Sequence, residues 1–503
     1  MQSKLLQRLG RITATASIAF LALHANVNAQ LTVGQPIVGA VSDSAATFAV
    51  WIRAGVTAEL QVSRDSTFPG IATYLSLLAA PSDRDSMFKF RMAFLAPSTR
   101  YYYRVLDRFD TVATRSFATF PRAGADAPVS FFFGSCQQST PPDNGAVFNV
   151  AADLGADLFV QMGDWAYPDV RVAGYPHSDS AVVGSWRERL DTSYPFVDRV
   201  LARTPLAFIW DDHDSFGNNS NGASAPAIKD RVLSAYRTYM PHYALANPDN
   251  GIWQTLRLGN VDLFMLDSRS QRSPIDSAIR GNQFRPPPGH SMLAGFPISG
   301  VDQRTWLLDA LRRSNARWKV IVSPVPFNPA MAPGIPLALL AGRPDVAKGF
   351  AEYWVGYPAD VDSLSKLLRT SAGRNVVIVS GSAHTNMYDD GTHSVVPEFV
   401  AANLDIPNSN LRDTLMRYGL NVWTAAQSGS NNTVGRIRVE TTPVHRLIME
   451  SFDEVGELEL QYVMVDTATS VVAMQERTSQ FVASDIVGGK LRLTFPSARH
   501  GEL

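Results

Sequence analysis

Residues 205–219 read PLAFIWDDHDSFGNN, five apolar residues running straight into three acids and a histidine. Leu206, Ala207, Phe208, Ile209 and Trp210 have the length and bulk of a strand covered on both faces. Gly217, Asn218 and Asn219 supply the turn that follows. Asp211, Asp212, His213 and Asp214 therefore fall beyond the carboxyl end of a buried strand, where open α/β sheets hold their ligands. Three carboxylates in four residues repel one another, and a compact fold tolerates them best around a cation. A solvated, Asp-rich turn fits the same letters, so the rest of the chain has to decide.

Five further runs share this form: VSFFFGSC at 129–136, DLFVQMGD at 157–164, VDLFMLD at 261–267, WKVIVSP at 318–324 and NVVIVSGSAH at 375–384. Helical patterns separate them. The clearest is Asp302–Arg317, with an apolar stripe of Trp306, Leu307, Ala310 and Leu311 and Asp302 as a cap. This alternation predicts a layered α/β domain. Five of the six strands end in a group able to bind metal or phosphate: Cys136; Asp164 with Tyr167; Asp211 to Asp214; Asp267 with Arg269; and His384. Of nine histidines, only His213 and His384 directly follow buried-strand runs. A thiolate, a phenolate and carboxylates together suit an ion such as iron, and calcium alone would not select sulfur. Asp164, after a Gly163 that lets the backbone turn, is the candidate for a carboxylate bridging two ions. Cys136 is the sole cysteine, so an internal disulfide is excluded; its alternative role is that of a small buried hydrophobe.

The N-terminal part has a different grammar. Between residues 31 and 121, six or seven short strand signals alternate with turns, predicting an immunoglobulin- or fibronectin III-like β-sandwich. Within it, Phe48, Val50 and Ile52 are expected on the core face, and Thr47, Ala49 and Trp51 on the other. PRAGADAP at 121–128 has linker composition. The expected organisation is thus a signal peptide (1–29), the sandwich (30–121), a linker (122–128), a catalytic domain (129–467) and a C-terminal extension (468–503) without an assigned role. Two long segments, 268–300 and 325–358, read as irregular insertions that are either lids or surface excursions.

The first residues carry Lys4, Arg8 and Arg11, then an apolar run at Ile12–Leu23 and small residues before Gln30, the form of a Sec-type signal peptide. The expected location is secreted or periplasmic, and no other stretch is long and apolar enough to span a membrane. Loss of the three basic residues takes the net charge from −1 to −4, which argues against a nucleic-acid partner. There is no G-x-S-x-G elbow and no P-loop.

The motifs GSCQ (134–137), GDWAY (163–167), WDDHD (210–214) with NN (218–219), DSR (267–269) and SGSAH (380–384) resemble those of the PhoD-like alkaline phosphatases, a branch of the calcineurin-like and purple-acid-type metallophosphatases. The resemblance extends over most of residues 31–445 and implies a β-sandwich followed by a metallophosphatase domain with two β-sheets. It implies Fe(III) held by Cys136, Asp164, Tyr167 and His384, and a second ion, usually Ca²⁺, held by Asp164, Asp212 and Asn218 or Asn219. His213 matches the histidine beside the phosphate and leaving group. The implied activity is hydrolysis of a small phosphate ester, monoester or diester, by a metal-held hydroxide. Arg269 would hold a phosphate oxygen or, alternatively, pair with Asp267. Asp211, Asp214 and Asp267 are expected in supporting positions. Ser382 is a departure: the family has Asp there, so the identity of the second ion stays open. The competing reading is a secreted, non-catalytic binding protein on the same scaffold.

Overall fold

The computed structural model describes residues 32, 34–70, 74–79, 86–107, 111, 113–137, 145–165, 185–186, 189–190, 193–223, 226–294, 300–409, 411–427, 429, 431–466, 483–487 and 490–493. The signal-peptide region, Tyr167 and most of the C-terminal extension lie outside them.

The strands before residue 120 are β1 (Ile37–Gly39), β2 (Ala46–Ile52), β3 (Ala58–Ser63), β4 (Tyr74–Ala79), β5 (Ser86–Met92), β6 (Arg100–Leu106) and β7 (Arg115–Ala118). Next come β8 (Val129–Gly134), β9 (Leu158–Gln161), β10 (Leu206–Phe208), β11 (Gln254–Leu258), β12 (Val261–Met265) and a short hairpin of β13 (Ile279–Arg280) and β14 (Gln283–Phe284). The series continues with β15 (Trp318–Ser323), β16 (Val376–Ser380), β17 (Asn386–Asp389), β18 (Glu398–Ala401) and β19 (Ala425–Ala426). It closes with β20 (Val434–Glu440), β21 (Arg446–Phe452), β22 (Leu458–Val465) and a hairpin of β23 (Ala483–Val487) and β24 (Lys490–Leu493).

Two large sheets form the core. One runs β22-β21-β20-β8-β9-β10-β1-β2-β5, the other β11-β12-β15-β16-β18-β17-β19. Each contains a parallel block, β8-β9-β10 in the first and β12-β15-β16-β18 in the second. The sheets face each other, with Phe133 edge-on to Phe399 at 5.9 Å and Ser135 N donating to Ala401 O. Alternation on β15 shows the layering: Val320 and Val322 belong to the core between the sheets, whereas Ile321 joins a second core with Leu307, Leu311 and Phe350. On the outer face of the first sheet, Phe159 packs on Phe196, which also meets Phe148 of the helix Ala146–Leu154. The result is helix, sheet, sheet, helix, each layer hiding the apolar face of the next.

The N-terminal strands are divided between two sheets. β3, β4, β6 and β7 make a four-stranded sheet, but β1, β2 and β5 extend the nine-stranded sheet beyond β10. β1 meets β10 in parallel at Gly39 and Leu206, where a Cβ on residue 39 would lie 2.5 Å from the Leu206 carbonyl oxygen. The two layers still face one another through Phe48, which contacts Tyr103 at 5.1 Å and Phe117 at 5.4 Å. The other face of β2 is buried too: Trp51 lies 5.2 Å from Tyr239, so Ala49 and Trp51 are as covered as Phe48 and Val50. The 121–128 segment is tied down, with Gly124 N bonded to Gly259 O and Asp126 paired with Arg317 at 3.1 Å.

Asp302 caps the helix Gln303–Arg313 as expected, accepting from Thr305 N at 2.9 Å. The 325–358 segment is not irregular. It contains helices Gly334–Leu340 and Pro344–Ala351, and its Pro344 occupies the first turn of a helix, where a missing N–H costs nothing. Beyond His384, β17, β18, β19 and β21 complete both sheets, strands too short or too polar in sequence to stand out.

Candidate metal centre

The strand ends gather where the carboxyl ends of the two parallel blocks meet. From the first sheet, β8 leads to Cys136, β9 to Asp164 and β10 to Asp211–Asp214; from the second, β12 leads to Asp267 and β16 to His384. Five residues here have left-handed backbone without being glycine: Cys136 (φ 61°), Asp164 (φ 54°), Asn219 (φ 56°), Ser382 (φ 63°) and His384 (φ 46°). That conformation costs about 1–3 kcal/mol per residue, and such clustering marks sites where surrounding contacts impose a geometry. Gly163, at φ 99°, is required by space: a Cβ there would sit 2.4 Å from Asp211 N.

Two donor groups result. Ligand atoms of Cys136, Asp164 and His384 all lie within 4.8 Å of one another, as do those of Asp164, Asp212 and His213. Asp164 belongs to both. Cys136 Sγ is 3.4 Å from Asp164 Oδ2, and its residue is fully buried. Burial, reinforced by Asp164, pushes the Cys136 thiol well above its ordinary range. Burial and the charges of Asp212 and Asp211 likewise push Asp164 up. Burial and the neighbouring His213 lower His384, leaving the neutral imidazole that binds metals. Asp212 behaves differently: burial pushes it up, but Arg269, His213 and the Asn219 N–H outweigh that and hold it ionised.

The residues present fit bound cations. Asp212 Oδ1 is buried and accepts no hydrogen bond. Asp164, Asp211, Asp212, Asp214, Asp267 and Glu352 set six acids beside the Cys136 thiol against three guanidiniums, those of Arg189, Arg269 and Arg272. A dry site does not hold such a surplus without positive ions or protons.

The supporting residues divide the work. Asp214 accepts from Asp164 N at 2.5 Å, Trp165 N at 2.9 Å and Asp211 N at 3.0 Å, stitching the β9 and β10 turns together. Asp267 sits in a nest of donors, Trp210 Nε1, Ile252 N, Arg269 N, Ser270 N and the Ser270 hydroxyl. The Arg269 guanidinium does not pair with Asp267. It is buried, grips both oxygens of Asp211, places Nη2 3.4 Å from Asp212 Oδ1 and meets Glu352 at 3.0 Å. Asp211 is therefore the arginine's carboxylate, with Asp267 already saturated. Asn218 and Asn219 lie on the exposed rim, and Asn219 touches the centre through its backbone N, 2.6 Å from Asp212 Oδ2. Ser382 N donates to Ser135 Oγ, which is 3.3 Å from Cys136 Sγ. Tyr167 lies outside the described residues.

Sequence reading missed three residues. Glu352 bridges Arg269 and Arg272, at 3.0 and 2.7 Å. The phenol of its neighbour Tyr353 is raised by burial and then by the charges of Cys136, Glu352 and Asp211. Arg189 pairs with Asp214 at 3.1 Å. The 325–358 insertion carried the first two, but nothing local distinguishes an acid at a helix end from a solvated one.

Fold and site together define a metallophosphatase-type architecture. The profile of the PhoD-like phosphatase family matches residues 131–442, and this chain belongs to that family. It is 25% identical over 360 residues to alkaline phosphatase D of Bacillus subtilis (strain 168), an alignment covering 66% of this chain and 58% of that relative's length. A solved structure of PhoD superposes with a TM-score of 0.63 at 18% identity, covering 87% of this chain and 92% of the other. Purple acid phosphatase PPD1 from yellow lupin (Lupinus luteus) seeds superposes with a TM-score of 0.52 at 10% identity, covering 86% and 74%. No helix among the described residues is long and apolar enough to cross a membrane.

Proposed function

We propose that this protein is an exported, metal-dependent hydrolase of small phosphate esters. The observation that carries the reading is the membership of Asp164 in both donor groups, the arrangement a carboxylate needs to join two ions. Cys136, Asp164 and His384, with Tyr167 by resemblance, would hold the first ion; sulfur beside oxygen and nitrogen favours Fe(III). Asp164 and Asp212, with Asn218 or Asn219, would hold the second, and Ca²⁺ is the ion the family resemblance implies. Ser382 in place of a carboxylate removes one anionic oxygen from this group and argues for another divalent ion as the competitor. Bound ions supply charge neutralisation at phosphorus and activation of water.

The chain's own residues supply geometry and proton handling. Arg269 orients Asp211 and Asp212, keeping the Asp212 carboxylate ionised and aimed. His213 Nε2 is 4.0 Å from Asp212 Oδ2 and its side chain is 17% exposed, against 5% for Asp212. It stands at the solvent side of the group, suited to deliver a proton to a leaving alkoxide. Export to the periplasm or medium follows from the basic and apolar start of the chain.

The test is turnover of a phosphate monoester and a diester by the full chain, with metal analysis, before and after chelation. Chelation should abolish turnover, and Asp164→Asn should lower bound metal and activity together. Absence of turnover of either ester by metal-loaded protein would leave the binding-protein reading in its place.

A further inference from the structure

The clasp on the shared carboxylate originates outside the parallel strands. Asp214 joins the two turns that present Asp164 and Asp212 by accepting three backbone N–H groups. Its charged partner is Arg189, whose Nη2 lies 3.1 Å from Asp214 Oδ1, with side chains 1% and 0% exposed. Arg189 is itself held: Nη1 donates to the Ser185 carbonyl at 3.2 Å and to the Ser185 hydroxyl, and the guanidinium lies 5.0 Å over the Trp186 ring. The next residue, Leu190, is gripped by the N-terminal segment. Gln35 N donates to Leu190 O at 3.1 Å, and at Gly34, with φ 76°, a Cβ would come within 2.4 Å of that oxygen.

We propose that Arg189 is a positioning residue for the metal centre, through which the N-terminal segment, by Gly34 and Gln35 on Leu190, keeps Asp214 aimed and Asp164 presented to both donor groups. The inference rests on the reading of Asp164 as the shared ligand. The reason is geometric. Arg189 Nη2 shares Asp214 Oδ1 with Trp165 N, so without the guanidinium the buried carboxylate loses the contact that fixes its orientation toward the three N–H groups. The turn at Asp164, already in a left-handed conformation, then relaxes.

The experiment uses the full chain carrying Arg189→Met, Arg189→Lys or Gly34→Ala. Metal per chain is measured against increasing chelator, with kcat, KM and the thermal midpoint measured on the same preparations. Arg189→Met should release metal at chelator concentrations about 10-fold lower and reduce kcat about 10–100-fold, with KM changed far less. Arg189→Lys should recover part of both, and Gly34→Ala should shift both in the same direction by less. Wild-type metal retention and kcat in folded Arg189→Met would overturn the proposal, whatever its thermal midpoint. If that variant does not fold, wild-type metal retention in both other variants overturns it. Asp164→Asn separates the two layers of inference: metal loss there with retention in Arg189→Met defeats only this proposal. Retention in Asp164→Asn defeats the shared-ligand reading itself.

Discussion

Glu352 Oε2 lies 3.0 Å from Nη1 of Arg269 and 2.7 Å from Nη1 of Arg272, so one carboxylate oxygen joins two buried guanidiniums. Residues 269 and 272 follow β12, whereas Glu352 ends the helix Pro344–Ala351, so the contact clamps both long insertions onto the wall of the metal centre. Glu352→Ala leaves two buried cations short of a partner and should cost about 3 kcal/mol in urea unfolding. Glu352→Gln keeps an oxygen in place and should cost about half of that. A double-mutant cycle with Arg272→Met should show strong coupling, and additive effects would refute the clamp.

Cys136→Ser tests the thiol. Serine fits the space but is a poor ligand for the ions that choose sulfur, so bound metal and activity should both fall, measured as metal per chain after gel filtration. A cysteine acting only as a buried hydrophobe would show a lower thermal midpoint with metal content intact.

Gly163→Ala alters no ligand, yet its Cβ would press on Asp211 N from a backbone conformation that alanine disfavours. The β9 and β10 turns have to separate. We expect a stability loss of at least about 1–3 kcal/mol together with weakened metal binding, read by calorimetry with and without chelator. Equal losses in both states would mean that the turn matters for folding alone.

Glu450, on β21, carries the pH prediction. Burial pushes its carboxyl up, but hydrogen bonds and charges from Arg438 and Arg436 outweigh that and hold it below its ordinary value of 4.5. A carboxylate with a lowered folded pKa stabilises the fold above its unfolded pKa and loses that contribution as pH falls through the folded one. Glu450→Gln should therefore cost about 1.5–3 kcal/mol near pH 7, and the difference from wild type should shrink as pH falls below 4.5. A difference that stays constant down to pH 3 would exclude the ion pairs as its source.

Legibility in the sequence followed locality. The strand Leu206–Phe208 and the ends of β8, β9, β12 and β16 could be read because a strand buried on both faces is a near-continuous apolar run. The cap at Asp302 was equally legible, since a cap acts within three residues. That β1, β2 and β5 join the nine-stranded sheet was not legible, because alternation says that a strand is covered, not by which sheet. A single approach of Gly39 to Leu206 turns those strands into the edge of the catalytic sheet. The 325–358 segment was misread because its prolines, taken as loop markers, include Pro344 and Pro358, each of which starts a helix.

The sequence by itself determined which chemistry this protein carries: a thiol, acids and imidazoles placed two to six residues after buried strands, in motifs that mark the PhoD-like family. Only the tertiary structure decided how they are wired. It gave Arg269 to Asp211 and Glu352 rather than Asp267, and hung the Asp214 clasp on Arg189. The difference is physical. Strand ends announce themselves through local burial and periodicity, whereas an ion pair between residues 83 apart, such as Arg269 and Glu352, leaves no periodic trace in either segment and exists only once two sheets and their insertions have closed around the same charges.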